Sequence, residues 1–88
     1  MILGIYGAGG LGREVLELAR IINQREKKWD DIIFVIDGDG GNKINDVIVY
    51  SYQDAVKKYK EDLEISIGVG EPAVREKLFA KIRKDEIS

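Results

Sequence analysis

An α/β fold, a small parallel sheet covered by helices on both faces, is predicted by three features of this 88-residue sequence. Short apolar runs at Ile2–Tyr6, Ile32–Ile36 and Leu63–Val69 alternate with segments of helical periodicity. The run Ile32-Ile33-Phe34-Val35-Ile36 has no polar position, as strands buried on both faces do. Glycines cluster at the carboxyl end of each run, where an open parallel sheet presents its ligand-facing rim.

The elements follow in order. Ile2–Tyr6 reads as the first strand and stops at Gly7-Ala8-Gly9-Gly10-Leu11-Gly12. Leu11, Val15, Leu18, Ala19 and Ile22 then fall on one face of a helix of about 15 residues. Arg13, Glu17, Arg20 and Gln24 take its wetter face, and Arg13 is spaced to pair with Glu17. Asn23 to Asp31 is polar apart from Trp29 and reads as a loop, with Trp29 packing beneath it. After the second strand comes Asp37, then the turn signal Gly38-Asp39-Gly40-Gly41-Asn42. Lys43-Ile44 and Val47–Tyr50 make a small edge hairpin around an Asn45-Asp46 turn.

Ser51 caps a short helix over Tyr52–Tyr59, with Ala55, Val56 and Tyr59 inward. The third apolar run leads to Gly70-Glu71-Pro72, and Pro72 suits the first position of a last helix. Val74, Leu78 and Ile82, with Phe79 beside them, form its expected buried stripe. Lys81, Arg83 and Lys84 lie in its last turns, where the helix dipole favours cations. The sum is a Rossmann-like three-layer α/β half-domain with a small parallel sheet and an edge hairpin.

Composition narrows the chemistry. With no cysteine, disulfides and thiolate chemistry are excluded. With no histidine, a Ser-His-Asp triad and histidine-held metals are excluded as well, and no residue pair has the look of an acid–base couple. Fourteen basic against sixteen acidic residues, net −2, with no basic stripe, argue against nucleic acid or an anionic membrane as partner. No apolar run approaches the ~20 residues of a spanning helix. The start Met1-Ile2-Leu3-Gly4 reads as a strand rather than a signal peptide, which makes the cytoplasm the expected location.

Gly7-Ala8-Gly9-Gly10-Leu11-Gly12 matches G-x-G-x-x-G between a strand and a helix, the context in which that pattern has a mechanism. Gly7 allows the tight turn, Gly9 a close approach of phosphate, and Gly12 close packing of helix on strand. The free N–H groups of the helix then face an anion. Arg13 is within reach of a phosphate, although pairing to Glu17 is the favoured expectation. Asp37 follows Gly12 at roughly the ~20-residue offset at which an acid holds a ribose hydroxyl in dinucleotide folds. A solvated turn aspartate is the competing reading. The Asp37–Asn42 loop fails the calcium-loop register, because a calcium loop's essential glycine would fall on Asn42. Glu71 is expected to cap the last helix, and Tyr50, Tyr52 and Tyr59 to pack at the edge and in the core.

Three blocks carry a resemblance: Ile5–Val15 (IYGAGGLGREV), Phe34–Gly38 (FVIDG) and Ile67–Arg75 (IGVGEPAVR). Together they resemble the N-terminal domain of bacterial sugar acyltransferases of the PglD/NeuD kind, over essentially the whole chain. The resemblance implies a domain that holds a nucleotide-sugar acceptor of the UDP-amino-sugar type. It implies a separate left-handed β-helix of hexapeptide repeats that binds acetyl-CoA, carries the catalytic histidine and assembles as a homotrimer. No cofactor is expected in these 88 residues. By position, Gly7, Gly9, Gly10, Leu11 and Gly12 would meet the diphosphate or sugar. Asp37 and Gly38 would meet the uracil-ribose end, and Gly70 would close the site. Leu11 stands where the family often has histidine, and Glu71 where it often has aspartate. The chain ends at Ser88, about where the second domain would begin, so acetyl transfer is not expected from these residues alone. Two other readings stay open. One is an NAD(P)- or FAD-binding half-domain, motivated by the glycine pattern and Asp37. The other is a structural or assembly domain with an empty rim.

Overall fold

The computed structural model describes residues 1–87. Strand β1 (Ile2–Tyr6) is followed by helix α1 (Gly10–Glu26), β2 (Asp31–Ile36), the hairpin β3 (Lys43–Ile44) and β4 (Val47–Ser51), and α2 (Tyr52–Tyr59). A single 3-10 turn at Lys60–Asp62 leads into β5 (Leu63–Ile67), and α3 (Pro72–Lys84) ends the chain of elements. The sheet order is β3-β4-β2-β1-β5. All neighbouring strands are parallel except β3, which pairs antiparallel to β4 at the edge.

Two apolar clusters make the three layers. Leu3, Ile5, Phe34 and Val49 of the sheet pack with Leu16 and Ala19 of α1 and with Trp29. Tyr6, Ile33, Val35 and Leu63 point the other way, against Tyr52 and Ala55 of α2 and Leu78 and Ile82 of α3. Alternate residues of β1 and β2 therefore enter opposite cores, as the period of two requires. The indole N–H of Trp29 is buried and has no protein acceptor among the described residues.

Local signals explain the boundaries. Asn45 and Asp46 both have positive φ, 50° and 63°, the geometry a tight two-residue hairpin turn demands. Ser51 accepts a hydrogen bond from the Asp54 N–H at 3.1 Å and caps α2. Pro72 stands at the start of α3. Helix α1 runs further than expected, through Glu26, because Lys27 takes a left-handed conformation and returns its N–H to Asn23 O at 2.9 Å.

The facing of α1 differs from the expected stripe. Gly12, Leu16 and Ala19 are its buried residues, whereas Leu11 is exposed and Leu18 is 62% exposed. The cause is contact with the sheet at Gly12. A Cβ there would lie 1.9 Å from Gly7 O, so this glycine is pressed onto the turn after β1. Leu16 and Ala19, one and two turns on, are consequently the residues that face inward. In α3, Leu78 and Ile82 are buried as expected, but Phe79 is 59% exposed and Val74 is exposed too. Phe79 stands one position round from Leu78 and borders an open cleft beside Ile65 and Ile67 of β5. No helix among the described residues is long and apolar enough to cross a membrane.

Candidate functional site

The chain leaves β1 toward β2 on one side and returns by way of α2 to β5 on the other. The carboxyl end of β1 is thus a topological switch point, the place where ligands of open α/β sheets bind. The loop after β1 and the loop after β5 flank it.

The glycines of the first loop have separate causes. Gly7 has φ 111°, which an L side chain rarely adopts, and its added Cβ would meet Val69 Cγ2 at 2.9 Å. Gly12 is held by the packing already described. Gly9 and Gly10 are different, because a Cβ on either meets nothing within 4 Å. Nothing in the protein requires glycine there. Gly9 is the N-cap of α1 without a side-chain cap, and no acidic residue lies in the first turn. The opening N–H groups of α1 are free of helical partners by geometry. Arg13 turns back over this loop, its Nε 3.4 Å from Gly9 O. The expected Arg13–Glu17 pair is absent, because Glu17 approaches Arg20 instead, at 4.0 Å.

In the third loop Gly68 packs hard on α1, where its Cβ would lie 2.7 Å from Gly12 Cα. Gly70 is freer: its Cβ would touch Leu11 Cδ2 at 3.5 Å, an ordinary contact. Leu11 and Gly70 therefore face each other across the switch point. Glu71 is the N-cap of α3, as expected, but its carboxylate makes no capping hydrogen bond. In the second loop Gly38 is open, its nearest neighbour being Ile36 Cδ1 at 4.0 Å. Gly40 is required by packing and Gly41 by its φ of 107°. A Cβ on Gly40 would lie 2.4 Å from Val49 O, and Gly41 donates to the same carbonyl at 2.8 Å.

Asp37 follows β2 directly and is tied to the sheet. The Tyr6 hydroxyl, at the end of β1, donates to Asp37 Oδ1. Lys81 Nζ of α3 donates to Tyr6 Oη at 2.8 Å and to Asp37 Oδ1 at 3.1 Å. The same ammonium sits 4.2 Å from the ring centroid of Tyr52, which stacks on Tyr6 at 5.4 Å. Tyr52 in turn donates to Asp85 at 2.6 Å. The hydrogen bond from Tyr6, with the nearby Lys81 charge, holds the Asp37 carboxyl below its usual range. Burial, and then the Asp37 hydrogen bond, push the Tyr6 hydroxyl up. Lys81 is partly desolvated, which opposes its charge, yet its bonds to Tyr6 and Asp37 raise it overall. Burial and Asp85 push Tyr52 well above an ordinary tyrosine.

The site residues expected from sequence thus form two groups. Gly9, Gly10, Leu11 and Gly70 gather at the start of α1. Asp37 forms the second, bonded to the Tyr6 side chain and to Lys81 on the α3 side of the sheet, while the Tyr6 backbone carbonyl accepts from the Gly68 N–H at 2.8 Å. Sequence reasoning missed Tyr6 and Lys81. Lys81 had only a dipole rationale in the last turns of α3. A cleft of about 670 Å³ lies elsewhere, on the outer side of β5 between Ile65, Ile67, Phe79 and Ile82, and another of about 630 Å³ is bordered by Gly70, Pro72 and Arg75. The first includes none of the rim glycines.

The comparisons with known proteins bear on the family and the fold. A family model described as the PglD N-terminal domain matches residues 2–82. Among solved structures, the chain is similar to WeeI from Acinetobacter baumannii AYE, at 32% identity and a TM-score of 0.84. That likeness covers 99% of this chain and 41% of WeeI, so the chain spans about two fifths of that relative. Among curated proteins none matches. Since the family match runs from the first strand into the last helix, the chain belongs to the PglD N-terminal domain family.

Proposed function

We propose that this domain binds a nucleotide-sugar acceptor of the UDP-amino-sugar type and holds its sugar for acetyl transfer. The transfer itself would fall to a second domain of hexapeptide repeats that binds acetyl-CoA, in a homotrimeric cytoplasmic parent protein. The observation that carries the binding is the space over Gly9 and Gly10. Two glycines without a packing reason lie at the uncapped start of α1. A diphosphate seated there receives backbone N–H groups and the positive end of the helix, with Arg13 beside it. Leu11 and Gly70 then border the sugar, and Asp37 and Gly38 the uracil-ribose end. Gly7 and Gly12 shape the loop without touching the ligand. The domain's contribution to rate would be orientation of the acceptor rather than chemistry on it.

A thermal-shift titration tests this, using UDP-N-acetylglucosamine, CMP-sialic acid and NADH in turn. Binding to the folded state alone raises stability by about 2.7 kcal/mol at a hundredfold excess over Kd. A shift with the UDP-sugar that Gly9→Val removes is the expected result. A shift with NADH alone would replace this reading with a dinucleotide one. No shift with any of the three would overturn binding by this domain.

A further inference from the structure

The carboxylate of Asp37 is exposed, with 72% of its side chain open to solvent, yet only one of its oxygens is engaged. Oδ1 receives both Tyr6 Oη and Lys81 Nζ. Among the described residues, Oδ2 receives no hydrogen bond. Lys81 Nζ donates to both Tyr6 Oη and Asp37 Oδ1 and lies 4.2 Å from the centroid of the Tyr52 ring, with its side chain still 41% exposed. The tyrosine hydroxyl closes the set by donating its one proton to Asp37 and accepting from Lys81.

We infer that Lys81, acting with Tyr6, is a positioning residue for ligand recognition, one that pins Asp37 Oδ1 and leaves Oδ2 as the single acceptor presented to a nucleoside hydroxyl or N–H. The inference rests on the nucleotide-sugar reading of the rim and adds a residue outside the glycine loops to it. Two physical effects follow from the arrangement. A carboxylate fixed before binding loses less rotamer freedom when it meets the ligand. A neighbouring ammonium also offsets the repulsion between Asp37 and a diphosphate seated nearby, since unlike and like charges at these separations act with comparable strength. The groups facing Asp37 come from three elements: Tyr6 of β1, Lys81 of α3 and, through the ammonium, Tyr52 of α2.

The test is a double-mutant cycle on the full chain with UDP-N-acetylglucosamine as probe. Affinity would be measured for the parent protein, Lys81→Met, Asp37→Ala and the double variant. Lys81→Met is expected to raise Kd about fivefold, the scale of one side chain left to be ordered on binding. In the Asp37→Ala background the same change is expected to do nothing, and Lys81→Arg is expected to recover part of the loss. The Asp37 carboxyl, followed by carbon NMR through an acid titration, is expected to move up toward the usual carboxylate value in Lys81→Met. This last readout needs no ligand. If the parent protein binds the probe and Lys81→Met binds it equally well, the positioning role is overturned while the nucleotide-sugar reading stands. An unchanged Asp37 titration in Lys81→Met overturns it as well. If the parent protein itself fails to bind, the reading of the rim falls and takes this role with it.

Discussion

Gly12 of α1 lies against the carbonyl oxygen of Gly7 so closely that an added Cβ would sit 1.9 Å from it. That contact joins the first helix to the first strand and decides which side of the helix is buried. The atom it meets is backbone, which cannot rotate aside, so even one methyl forces α1 off the sheet. Gly12→Ala is expected to cost about 2–3 kcal/mol, the upper part of the overpacking range, measured by urea unfolding. A variant as stable as the parent would mean that α1 can shift freely on the sheet.

Gly10 behaves oppositely. It is the first residue of α1, and a Cβ on it meets nothing within 4 Å. Alanine has the better helix propensity, so Gly10→Ala is expected to leave stability unchanged or raise it by up to about 1 kcal/mol. The same methyl projects into the space assigned to the diphosphate. Weaker binding of UDP-N-acetylglucosamine, with stability kept, would separate a ligand-facing glycine from a packing one.

How much of this was legible from sequence differs by level. The strands stood out because five consecutive apolar residues at Ile32–Ile36 have few alternatives to a doubly covered strand. The hairpin turn was marked by Asn45-Asp46, and the starts of α2 and α3 by Ser51 and Pro72. The facing of α1 was not legible, because Leu11, Val15, Leu16, Leu18, Ala19, Ile21 and Ile22 spread round most of the helix. Periodicity alone offers more than one stripe there, and the contact of Gly12 with Gly7 chooses between them. The glycine loop was visible as a candidate site through its spacing. The Tyr6–Lys81 bond was not, since its partners are 75 residues apart and no local pattern links them.

The facing of α1 has a direct consequence for stability. Leu16 is fully buried in the α1 core cluster, whereas Leu18, two positions on, is 62% exposed. Leu16→Ala is expected to cost about 2–5 kcal/mol through lost burial and the cavity left behind. Leu18→Ala is expected to stay within about 0.5 kcal/mol of the parent, as exposed substitutions do. Equal losses at the two positions, in parallel denaturant titrations, would show that α1 is turned differently.

The cluster of Tyr6, Tyr52 and Lys81 predicts weakening in alkali. All three groups hold their protons more strongly in the folded state than an unfolded chain does. Their contribution is fully present below the unfolded values, near ~10 for tyrosine and lysine, and is lost as pH rises through the folded values. The melting temperature is therefore expected to fall steeply above about pH 10, and Tyr52→Phe to flatten that fall. Asp37 works in the other direction. Its depressed value gives a contribution present above ~4 that is lost as pH falls through the folded value, so Asp37→Asn is expected to flatten the acid limb. Slopes unaltered by either substitution would place the pH dependence in other groups.

The hairpin turn predicts a gain. Asp46 holds φ 63° at the second turn position between β3 and β4, a left-handed conformation that costs a residue with a Cβ roughly 1–2 kcal/mol. Aspartate tolerates that conformation better than most residues, so the recoverable part is smaller. Glycine adopts it without strain, and Asn-Gly is the favoured sequence for a two-residue hairpin. Asp46→Gly is expected to stabilise the fold by about 0.5 kcal/mol, offset in part by the extra freedom glycine gives the unfolded chain. Asp46→Val should do the reverse and cost more than 1 kcal/mol by roughly the same measure, because branching at Cβ worsens the left-handed strain. Melting curves that rank glycine above aspartate above valine would establish the turn geometry. Valine equal to aspartate would mean that the chain turns there with negative φ instead.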